Sequence, residues 1–406
     1  MTLPPVSVIV VSRHRPRALA RCLLGLRQLD YPAVEVVVVA DPLGLAVAQD
    51  HPVKRVAFDQ ANISAARNAG LTAASGQVVA FIDDDAVPEP LWLRHLIAPF
   101  ADTAVAAAGG HVVGANGISL QWAGGTVDRL LQTAPLARSG DAPVLHRATP
   151  GTAIEVKGVN CAYRRALLLD MGGFDPALRY YLDETELNLR LAAMGAVTAV
   201  VPMARVHHHK QPSALRRADG LPLDLSPIGA SAAVTLRRHG ADAGEMAAAA
   251  RRLFAAERAK LERSRGRRRL SAPQVEGLMS GLTNGFAEGA ARALTPISPL
   301  ADAALPFLPL DCPPRVLSVL AGRRWQRARL LRQAAARVAA GEVVRVFVFG
   351  PSVLYHQHRF ADQGYWLQTG GLFGKSDRSD PLFWLWSLSV RVRRESVRTL
   401  SGFRYS

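Results

Sequence analysis

The segment Val78-Val-Ala-Phe-Ile-Asp-Asp-Asp85 decides the fold, because five apolar residues run directly into three carboxylates. A continuous apolar run of this length is typical of a strand that is buried on both faces of a parallel sheet. Ligands of open parallel sheets bind beyond the carboxyl ends of the strands, which is where the three aspartates fall.

The three adjacent aspartates repel one another unless a cation compensates their charge. Asp83 and Asp85 stand two positions apart, so their side chains can point the same way in an extended turn. Hard oxygen ligands of this kind suit Mg²⁺ or Mn²⁺ that holds a diphosphate. The alternative is a solvated acidic turn, which the preceding buried strand disfavours.

The sequence on either side of this strand alternates strands with helices. Strands are predicted at Val6–Val11 and Val34–Val39, with a short one at Val53–Phe58, and helices at Pro16–Leu29 and Ser64–Ala74. This alternation predicts an α/β fold, with a mostly parallel, Rossmann-like sheet that is covered by helices on both faces.

A second acidic cluster lies in the segment Tyr180-Tyr-Leu-Asp-Glu-Thr-Glu-Leu187. A carboxylate that is partly desolvated beside aromatic residues has its pKa raised toward the working pH, as a general base requires. The same acids also suit the start of a helix, with Asp183 as N-cap and Glu186 as its capping-box partner. The two interpretations are compatible, and both stay open.

Three histidines, His207, His208 and His209, follow the predicted strand Val197–Val201. Neighbouring side chains of an extended chain point apart, so the three imidazoles cannot all face one ion. The pattern predicts one ligand or phosphate contact among them and surface positions for the others.

In this order and spacing, the motifs of the first half resemble those of family 2 glycosyltransferases with the GT-A fold, of the rhamnosyltransferase-like or cell-envelope polysaccharide type. The resemblance covers residues 4–215, roughly half of the chain. Its motifs are Val6–Ser12, Ser64–Gly70, Phe81–Asp85, Gly172–Asp175, Asp183–Leu187 and Val206–His208.

The resemblance implies an inverting, metal-dependent glycosyltransferase. Such an enzyme moves a sugar from a nucleotide-diphosphate sugar to a hydroxyl of a saccharide or lipid-linked acceptor, here in cell-envelope or surface polysaccharide synthesis. In the family's pattern, Asp83 faces the ribose, while Asp85 and His208 hold the Mn²⁺ or Mg²⁺. Glu184 takes the place of the catalytic base, with Asp183 beside it.

The resemblance also implies substrate-binding positions, which are Ser12, Arg13, Asp41, Arg67, Asp83, Asp84 and Asn160. Two departures from the family's pattern stand out. The acidic pair is swapped, because the family has Glu-Asp where this chain has Asp183-Glu184, and the longer side chain moves the carboxylate of the base by about 1 Å. Asp41 is one residue out of register with the usual acids after the second strand.

Two other classes of function stay open. A nucleotidyltransferase also holds metal and nucleotide on acids at the edge of a parallel sheet, but it usually has a glycine-rich phosphate loop, which Ser12–Pro16 lacks. A non-catalytic scaffold with a degenerate transferase domain is suggested by the swapped acidic pair.

The second half of the chain is strongly basic. Residues 1–204 carry 17 Lys and Arg against 18 Asp and Glu, whereas residues 205–406 carry 32 against 15. Its predicted elements are helices at 228–270, 276–294 and Arg323–Ala340, a proline-rich connector at 295–314 and a strand at Val343–Phe349. The predicted division is a catalytic domain at 1–215, a basic helical region at 216–295, and a third region at 296–406 with the connector, a basic helix and an aromatic end.

The apolar aromatic block Leu382-Phe-Trp-Leu-Trp-Ser-Leu388 indicates a partner for the basic half. It is too short to span a bilayer, but aromatic residues followed by arginines anchor at the level of lipid headgroups. The pattern predicts an anionic membrane surface, and the alternative is a core strand that ends in a basic tail. The arginines are Arg391, Arg393, Arg394 and Arg398. Nucleic acid is disfavoured, because no nucleic-acid-binding motif surrounds the cationic run Arg263–Arg269.

The segment Tyr355-His-Gln-His358 has the spacing of a metal-binding pair. No acid lies close to it in the sequence, so a structural or acceptor-site element is favoured.

Cysteine usage and apolar runs give an expectation about location. The three cysteines form no CxxC pair, which excludes a disulfide framework and a thiolate zinc site and suits a reducing compartment. No signal-peptide core is visible in the first 30 residues, and no apolar run reaches the ~20 residues of a membrane span. We expect a cytoplasmic protein, held peripherally on the inner face of the cytoplasmic membrane.

Overall fold

The computed structural model describes residues 3–137, 140–303, 305–310, 312, 316–377 and 380–400, with the backbone alone for 398–400. Pro313 and Pro314 of the predicted connector, and the side chain of Arg398, lie outside the described residues.

The described chain forms one long sheet with flanking helices and a small three-stranded sheet within residues 125–155. A group of three helices follows, and then a four-stranded sheet, which we call the second sheet. The elements of the first half are β1 (Val6–Ser12), α1 (Pro16–Leu26), β2 (Val34–Ala40), α2 (Pro42–Ala48), β3 (Lys54–Ala57), α3 (Ile63–Ala73), β4 (Val78–Asp83), β5 (Ala86–Pro88), α4 (Trp92–Ile97), β6 (Val105–Val113), β7 (Leu120–Trp122), β8 (Gly125–Asp128), β9 (Thr133–Pro135), β10 (Val144–Arg147), β11 (Thr152–Glu155), β12 (Asn160–Arg164), α5 (Arg165–Asp170), α6 (Asp183–Ala193) and β13 (Val197–His208). The elements of the second half are α7 (Ser226–Arg238), α8 (Ala243–Gly266), α9 (Ala272–Ala291), β14 (Leu317–Arg323), α10 (Arg327–Ala339), β15 (Val343–Gly350), β16 (Gln357–Phe360), β17 (Trp366–Gly371) and α11 (Leu388–Leu400). Short 3₁₀ helices lie at Ala98–Ala101 and Arg324–Gln326.

Within the described residues, ten strands form the long sheet, in the order β10-β13-β6-β12-β4-β1-β2-β3, with β5 paired to β13 and β7 to β6. The strands from β4 to β3 are parallel, whereas β12 runs antiparallel to both of its neighbours. Val11 pairs with Asp83, and Ser12 pairs with Ala40. The carboxyl ends of β1, β2 and β4 therefore meet at one edge, as the sequence predicts.

Helices cover both faces of this sheet. Val8 and Val10 of β1 pack into a core with Leu23 of α1, while Ile9 between them enters a second core with Leu71 of α3. Because successive strand residues point to opposite faces, a mostly apolar strand such as β1 supplies both cores. The predicted α/β class and two-sided sheet are confirmed.

The strand predicted at Val197–Val201 continues to His208. It is longer than predicted because β5 turns back after the acids and pairs with its end, where His208 lies opposite Ala86. This pairing brings the histidines to the carboxyl edge of the sheet.

The single helix predicted at 228–270 is in fact two helices, α7 and α8. The chain turns at Gly240, whose φ is 70°, and the side chain of Asp242 caps the start of α8. Helix α9 crosses α7 closely at Gly285, where a Cβ would lie 2.0 Å from the carbonyl oxygen of Ser226. Only glycine allows this approach of the two backbones.

The second sheet has the order β14-β15-β17-β16, with β16 antiparallel. The helix predicted at Arg323–Ala340 begins at Arg327, because Arg323 ends β14. The sheet is fastened to α1: Nε2 of Gln28 donates to the carbonyl oxygen of Gly364 at 2.5 Å, and Arg21 pairs with Asp362 at 2.7 Å.

The proline-rich connector is bonded along its length to the first half. We call its described residues 300–303 and 305–310 the strap. Backbone N–H groups of Leu300, Leu308 and Leu310 donate to Leu169 O, Glu35 Oε2 and Val34 O, at 2.9, 2.8 and 2.7 Å. The strap therefore lies along the first half of the chain.

The block Leu382–Leu388 does not form the alternative core strand, because residues 382–387 have no regular structure and Leu385 is 74% exposed. Among the described helices, none is both long enough and apolar enough to cross a bilayer.

Candidate active site

Asp83, Asp85 and His208 meet at the carboxyl edge of the long sheet. Each offers one ligand-type atom, and these atoms lie within 4.8 Å of one another. Asp85 Oδ1 is 3.1 Å from Nε2 of His208. The two acids therefore face the same way, as their spacing predicts, and His208 is the histidine that faces them.

The surroundings of Asp85 keep it ionised. Its Oδ2 accepts hydrogen bonds from Nη1 of Arg15 at 3.1 Å and from the backbone N–H of Gln211 at 3.0 Å. Burial by itself opposes ionisation, but the hydrogen bond and charge of His208, together with Arg15, outweigh it and lower the pKa of Asp85 to about 2.

The middle acid, Asp84, points into the protein. Its carboxylate accepts the hydroxyl of Ser12 at 2.7 Å and pairs with Arg15 at 2.6 Å. Burial raises the pKa of Asp84 to about 7, although Arg15 opposes the shift. Ser12 and Asp84 thus hold the loop after β1, and the predicted contact of these two side chains with substrate stays a prediction.

The other two histidines lie elsewhere. Nε2 of the buried His207 is 3.0 Å from Oε1 of Glu89, away from Asp85. His209 contributes its backbone N–H, which donates to the carbonyl oxygen of Asp85 at 2.9 Å.

Arg67 joins the two acidic clusters. Its guanidinium forms a buried ion pair with Asp183, lies 3.3 Å from Oδ1 of Asp83, and lies 3.9 Å from Oε2 of Glu184. A Cβ on Gly158 would lie 2.3 Å from Nη2 of Arg67, so glycine is required where the guanidinium crosses the backbone. The site is thus one continuous network.

Asp183 and Glu184 differ in exposure and in charge. Their side chains are 4% and 16% exposed. Burial raises the pKa of Asp183 to about 7 despite Arg67, and the charge of Glu184 adds to this shift. Burial also opposes ionisation of Glu184, but Lys157 and Arg67 outweigh it and lower its pKa. The sequence predicts a raised pKa for the base, and the acid with the raised pKa is Asp183, the neighbour of Glu184.

The segment before α6 is strained. Tyr181 and Leu182 have φ of 72° and 64°, a left-handed conformation that costs residues other than glycine about 1–3 kcal/mol each. Helix α6 begins at Asp183, so Leu182 is its N-cap and the predicted capping box is wrong. Glu186 instead accepts Nε of Arg190 at 2.9 Å. This left-handed conformation sets the start of α6 and therefore the positions of Asp183 and Glu184 in the site.

Arg13 and Asp41 differ in exposure to solvent. Arg13 is partly exposed and pairs with Asp59 at 2.9 Å. Asp41 is buried, caps α2 through the backbone N–H of Leu43 at 3.2 Å, and accepts the N–H of His14 at 2.9 Å. Asp41 therefore shapes the loop that carries Arg13.

Asn160, which the resemblance implies as a substrate contact, lies inside the protein, and that role stays a prediction. It is completely buried, and its side chain bonds to Nε1 of Trp92 at 2.7 Å and to the carbonyl oxygens of His111 and Ala204 at 3.0 and 2.8 Å. These bonds hold β12 beside its neighbours.

Sequence reasoning missed two cations of the site. Arg15 binds both Asp84 and Asp85, and its only sequence signal is the run of three basic side chains after β1. Lys157 acts on Glu184 from the loop before β12, and no motif marks it.

An edge of this kind, with acids and a histidine at the carboxyl ends of strands, is where α/β transferases bind their substrates. Residues 4–219 match the family described as "Glycosyltransferase like family 2", and the chain belongs to that family.

Two of the curated relatives each match about half of this chain. The O-antigen biosynthesis protein RfbC of Myxococcus xanthus is 29% identical over 244 residues, which cover 54% of this chain and 18% of RfbC. The pre-mycofactocin glycosyltransferase of Mycobacterium tuberculosis (strain CDC 1551 / Oshkosh) is 28% identical over 220 residues, 50% of this chain and 42% of that protein. The matches span less than half of either relative.

Solved structures show a more distant likeness. A mannosyltransferase, PcManGT from Pyrobaculum calidifontis in complex with GDP-Man and Mn²⁺, is 19% identical with a TM-score of 0.42, over 71% of this chain and 87% of that one. GalNAc-T7 with UDP, GalNAc and Mn²⁺ is 19% identical with a TM-score of 0.44, over 58% and 48%. At this sequence identity and TM-score, we infer neither a ligand nor a substrate of this chain from these structures.

Proposed function

We propose that the protein is an inverting, metal-dependent glycosyltransferase that moves a sugar from a nucleotide-diphosphate sugar to a hydroxyl acceptor. The observation that carries the proposal is the position of Arg67, which links Asp83 at the diphosphate end of the site to Asp183 and Glu184 at the acceptor end. One site then holds both the diphosphate of the donor and the hydroxyl of the acceptor.

The donor set suits a divalent cation. Asp83, Asp85 and His208 would hold Mn²⁺ or Mg²⁺, because two carboxylates and an imidazole within 4.8 Å of one another are ligands that these ions accept. A cation there supplies Lewis-acid help, by neutralising the charge that develops on the diphosphate leaving group. Arg15, whose side chain is 27% exposed beside Asp85, adds a fixed positive charge.

Glu184 is the proposed general base. Its lowered pKa keeps it ionised at neutral pH, and it is the more exposed acid of the pair. It takes the proton of the acceptor hydroxyl while that oxygen attacks the anomeric carbon from the face opposite the diphosphate. The bond to the diphosphate breaks in the same displacement, so the configuration inverts without a covalent glycosyl-enzyme. Asp183 positions Arg67.

The two alternatives predict different outcomes. A nucleotidyltransferase would consume a nucleoside triphosphate, and a non-catalytic scaffold would bind nucleotide without turnover. The ionised, partly exposed Glu184 favours an active transferase over a scaffold. RfbC is named for O-antigen biosynthesis, which supports a saccharide or lipid-linked acceptor in envelope or surface polysaccharide synthesis.

The second half supports a membrane-surface role for the proposed enzyme on the inner face of the cytoplasmic membrane. Leu382, Phe383, Trp384 and Leu385 are 53–74% exposed, and we call them the apolar patch. The ring of Phe383 lies 5.8 Å from that of Phe373, and the guanidinium of Arg394 lies 5.2 Å from the ring of Trp386 behind the patch. Exposed aromatic residues backed by arginines suit an anionic lipid surface.

The function is tested by ligand-induced stabilisation followed by turnover. A thermal-shift screen of the full chain with nucleoside diphosphates, with and without Mn²⁺, should give one base that raises the melting temperature only with the metal. The matching nucleotide-sugars should then be turned over, releasing that diphosphate. Turnover of a nucleoside triphosphate to pyrophosphate, or no effect of any nucleoside diphosphate, would overturn the proposal.

A further inference from the structure

A second cluster of ligand-type side chains lies away from Asp85, between the two sheets. Glu89, His207 and His358 each offer one carboxylate oxygen or ring nitrogen, and these atoms lie within 4.8 Å of one another. All three side chains are buried. Glu89 follows β5, His207 lies on β13 and His358 lies on β16, so the two sheets build the cluster together. His358 of the motif at 355–358 thus meets an acid that its own stretch of sequence lacks.

His207 is the centre of this cluster. Its Nε2 lies 3.0 Å from Oε1 of Glu89, and its ring meets those of His358 and Trp366 edge-on, with centroids 4.9 and 4.8 Å apart. Its Nδ1 is buried and has no hydrogen-bond partner within the part of the chain that the structure describes. His207 thus lies between an acid and a second histidine, with its Nε2 side toward the carboxylate of Glu89.

The cluster opens on a cavity of about 240 Å³ that residues of both sheets line. Among the lining side chains are Glu89, His207 and His358 themselves, together with His146 and Arg205. A cavity of this size has room for water beside the three ligand-type atoms. A water in this cavity would supply a fourth ligand to an ion held by the three side chains.

The charges around the cluster select the kind of ion. Arg345 and Arg205 act electrostatically on Glu89, which favours its carboxylate form but repels a cation. Mg²⁺ and Mn²⁺ depend on charge attraction to oxygen ligands. One carboxylate beside two arginines would therefore bind them weakly. Zn²⁺ binds imidazole strongly, and two histidines with one glutamate and an open fourth position form one of its known ligand sets.

We propose that Glu89, His207 and His358 bind one Zn²⁺, which ties the second sheet to the catalytic half. This site is separate from the Asp83, Asp85 and His208 cluster, because the neighbouring His207 and His208 face different partners. The zinc would hold the two sheets together, whatever reaction the catalytic half performs.

The metal content of the intact protein tests this proposal. The full chain is purified without chelator, passed through a desalting column and analysed for zinc by mass spectrometry, and its Co²⁺-loaded form is examined for the visible absorption of four-coordinate cobalt. We expect about one tightly held zinc per chain. His358→Ala should lose that zinc and the cobalt absorption, whereas His146→Ala, which removes a histidine from the same cavity, should keep both. Asp85→Ala should also keep both, because it lies in the other cluster.

The outcomes separate a metal site from a hydrogen-bonded polar cluster. Folded wild-type protein that retains no zinc and gives no four-coordinate cobalt spectrum would overturn the proposal, even if His358→Ala failed to fold. Equal zinc in wild type and a folded His358→Ala would overturn it as well. Zinc that disappears with Asp85→Ala but not with His358→Ala would place the ion in the other cluster.

Discussion

Arg67 and Asp183 form a buried ion pair, although 116 positions separate them in the chain. The same guanidinium reaches Asp83, so one side chain fixes the distance between the proposed diphosphate end and the proposed base. Above about pH 7, where the folded protein has lost the proton of Asp183, we expect Arg67→Met to lower the free energy of unfolding by about 3–5 kcal/mol, because it leaves this carboxylate buried without its cation. Arg13→Met removes an exposed pair with Asp59 and should cost about 0–1 kcal/mol in the same urea titration. Equal losses in the two variants would contradict this role of Arg67.

Asp85→Ala should abolish the Mn²⁺-dependent part of nucleoside diphosphate binding. Without this carboxylate, the proposed cation loses one of its three protein ligands, and the diphosphate charge is left uncompensated. Calorimetric titration with and without Mn²⁺ measures the effect. The control is Asp59→Ala, which removes an acid that pairs with Arg13 on the loop after β1. Unchanged Mn²⁺ dependence in Asp85→Ala would refute the ligand assignment.

Glu184→Gln should keep nucleotide affinity and lower turnover by about 10²–10⁴-fold, because an amide cannot accept the proton of the acceptor hydroxyl. Steady-state rates and nucleoside diphosphate titrations of the same preparation separate the two effects. Asp183→Asn is the companion variant. If it were the inactive one and Glu184→Gln nearly normal, the base would be Asp183, one position earlier.

The pH dependence of stability reports the charge of Asp183. Its pKa is raised in the folded protein from 3.8 to about 7, so the native state holds a proton that the unfolded chain has already lost in this range. Stability from this group is therefore full below pH 3.8 and is lost as the pH rises to about 7. The unfolding free energy of wild type minus that of Asp183→Asn should fall over this window and level off above it. A difference that rises with pH would mean that Arg67 lowers the pKa instead.

Substitutions in the apolar patch should weaken binding to anionic vesicles. Trp384→Ser and Leu385→Ser remove exposed apolar surface, and the matched control is Trp325→Ser, which is 77% exposed outside the patch. Co-sedimentation with phosphatidylcholine vesicles, with and without phosphatidylglycerol, measures the binding. The attraction should fade as salt rises, because the Debye length is about 10 Å at 0.1 M. Binding that ignores both the patch variants and the anionic lipid would contradict a membrane role.

Point substitutions are preferable here to deletion of the C-terminal end. Glu395 of α11 is completely buried and accepts hydrogen bonds from Nε2 of Gln368 at 2.9 Å and from Oγ of Ser376 at 2.6 Å. Removing α11 would take this buried acceptor away from both side chains and disturb the packing of the second sheet, so a loss of binding after truncation would not report on lipid.

The sheet and the position of the acids at its edge could be predicted from the sequence. Strands β1, β2 and β4 are mostly apolar, with Ser7 and Glu35 as the polar residues inside their apolar runs. The two-residue spacing of Asp83 and Asp85 lets both side chains point the same way. These are local patterns, and local patterns can be read from one sequence.

The parts that could not be predicted depend on contacts between distant segments or on backbone strain. The meeting of Glu89 with His358 requires the packing of two sheets. The inward position of Asp84 depends on Ser12 and Arg15 of another strand end. The left-handed Tyr181 and Leu182 carry no sequence signal, because glycine is the usual mark of that conformation.

The strap has a consequence for how such enzymes can be recombined. Glu35, completely buried on β2, accepts hydrogen bonds from Ser7, from the backbone of Ser75 and from Leu308 of the strap. A chimera that joins this catalytic half to a relative's C-terminal half would leave one oxygen of that carboxylate without the N–H of Leu308, unless residues 300–310 came along. The natural unit of exchange between members of the family is therefore the catalytic half together with its strap, and a junction placed after residue 310 preserves it.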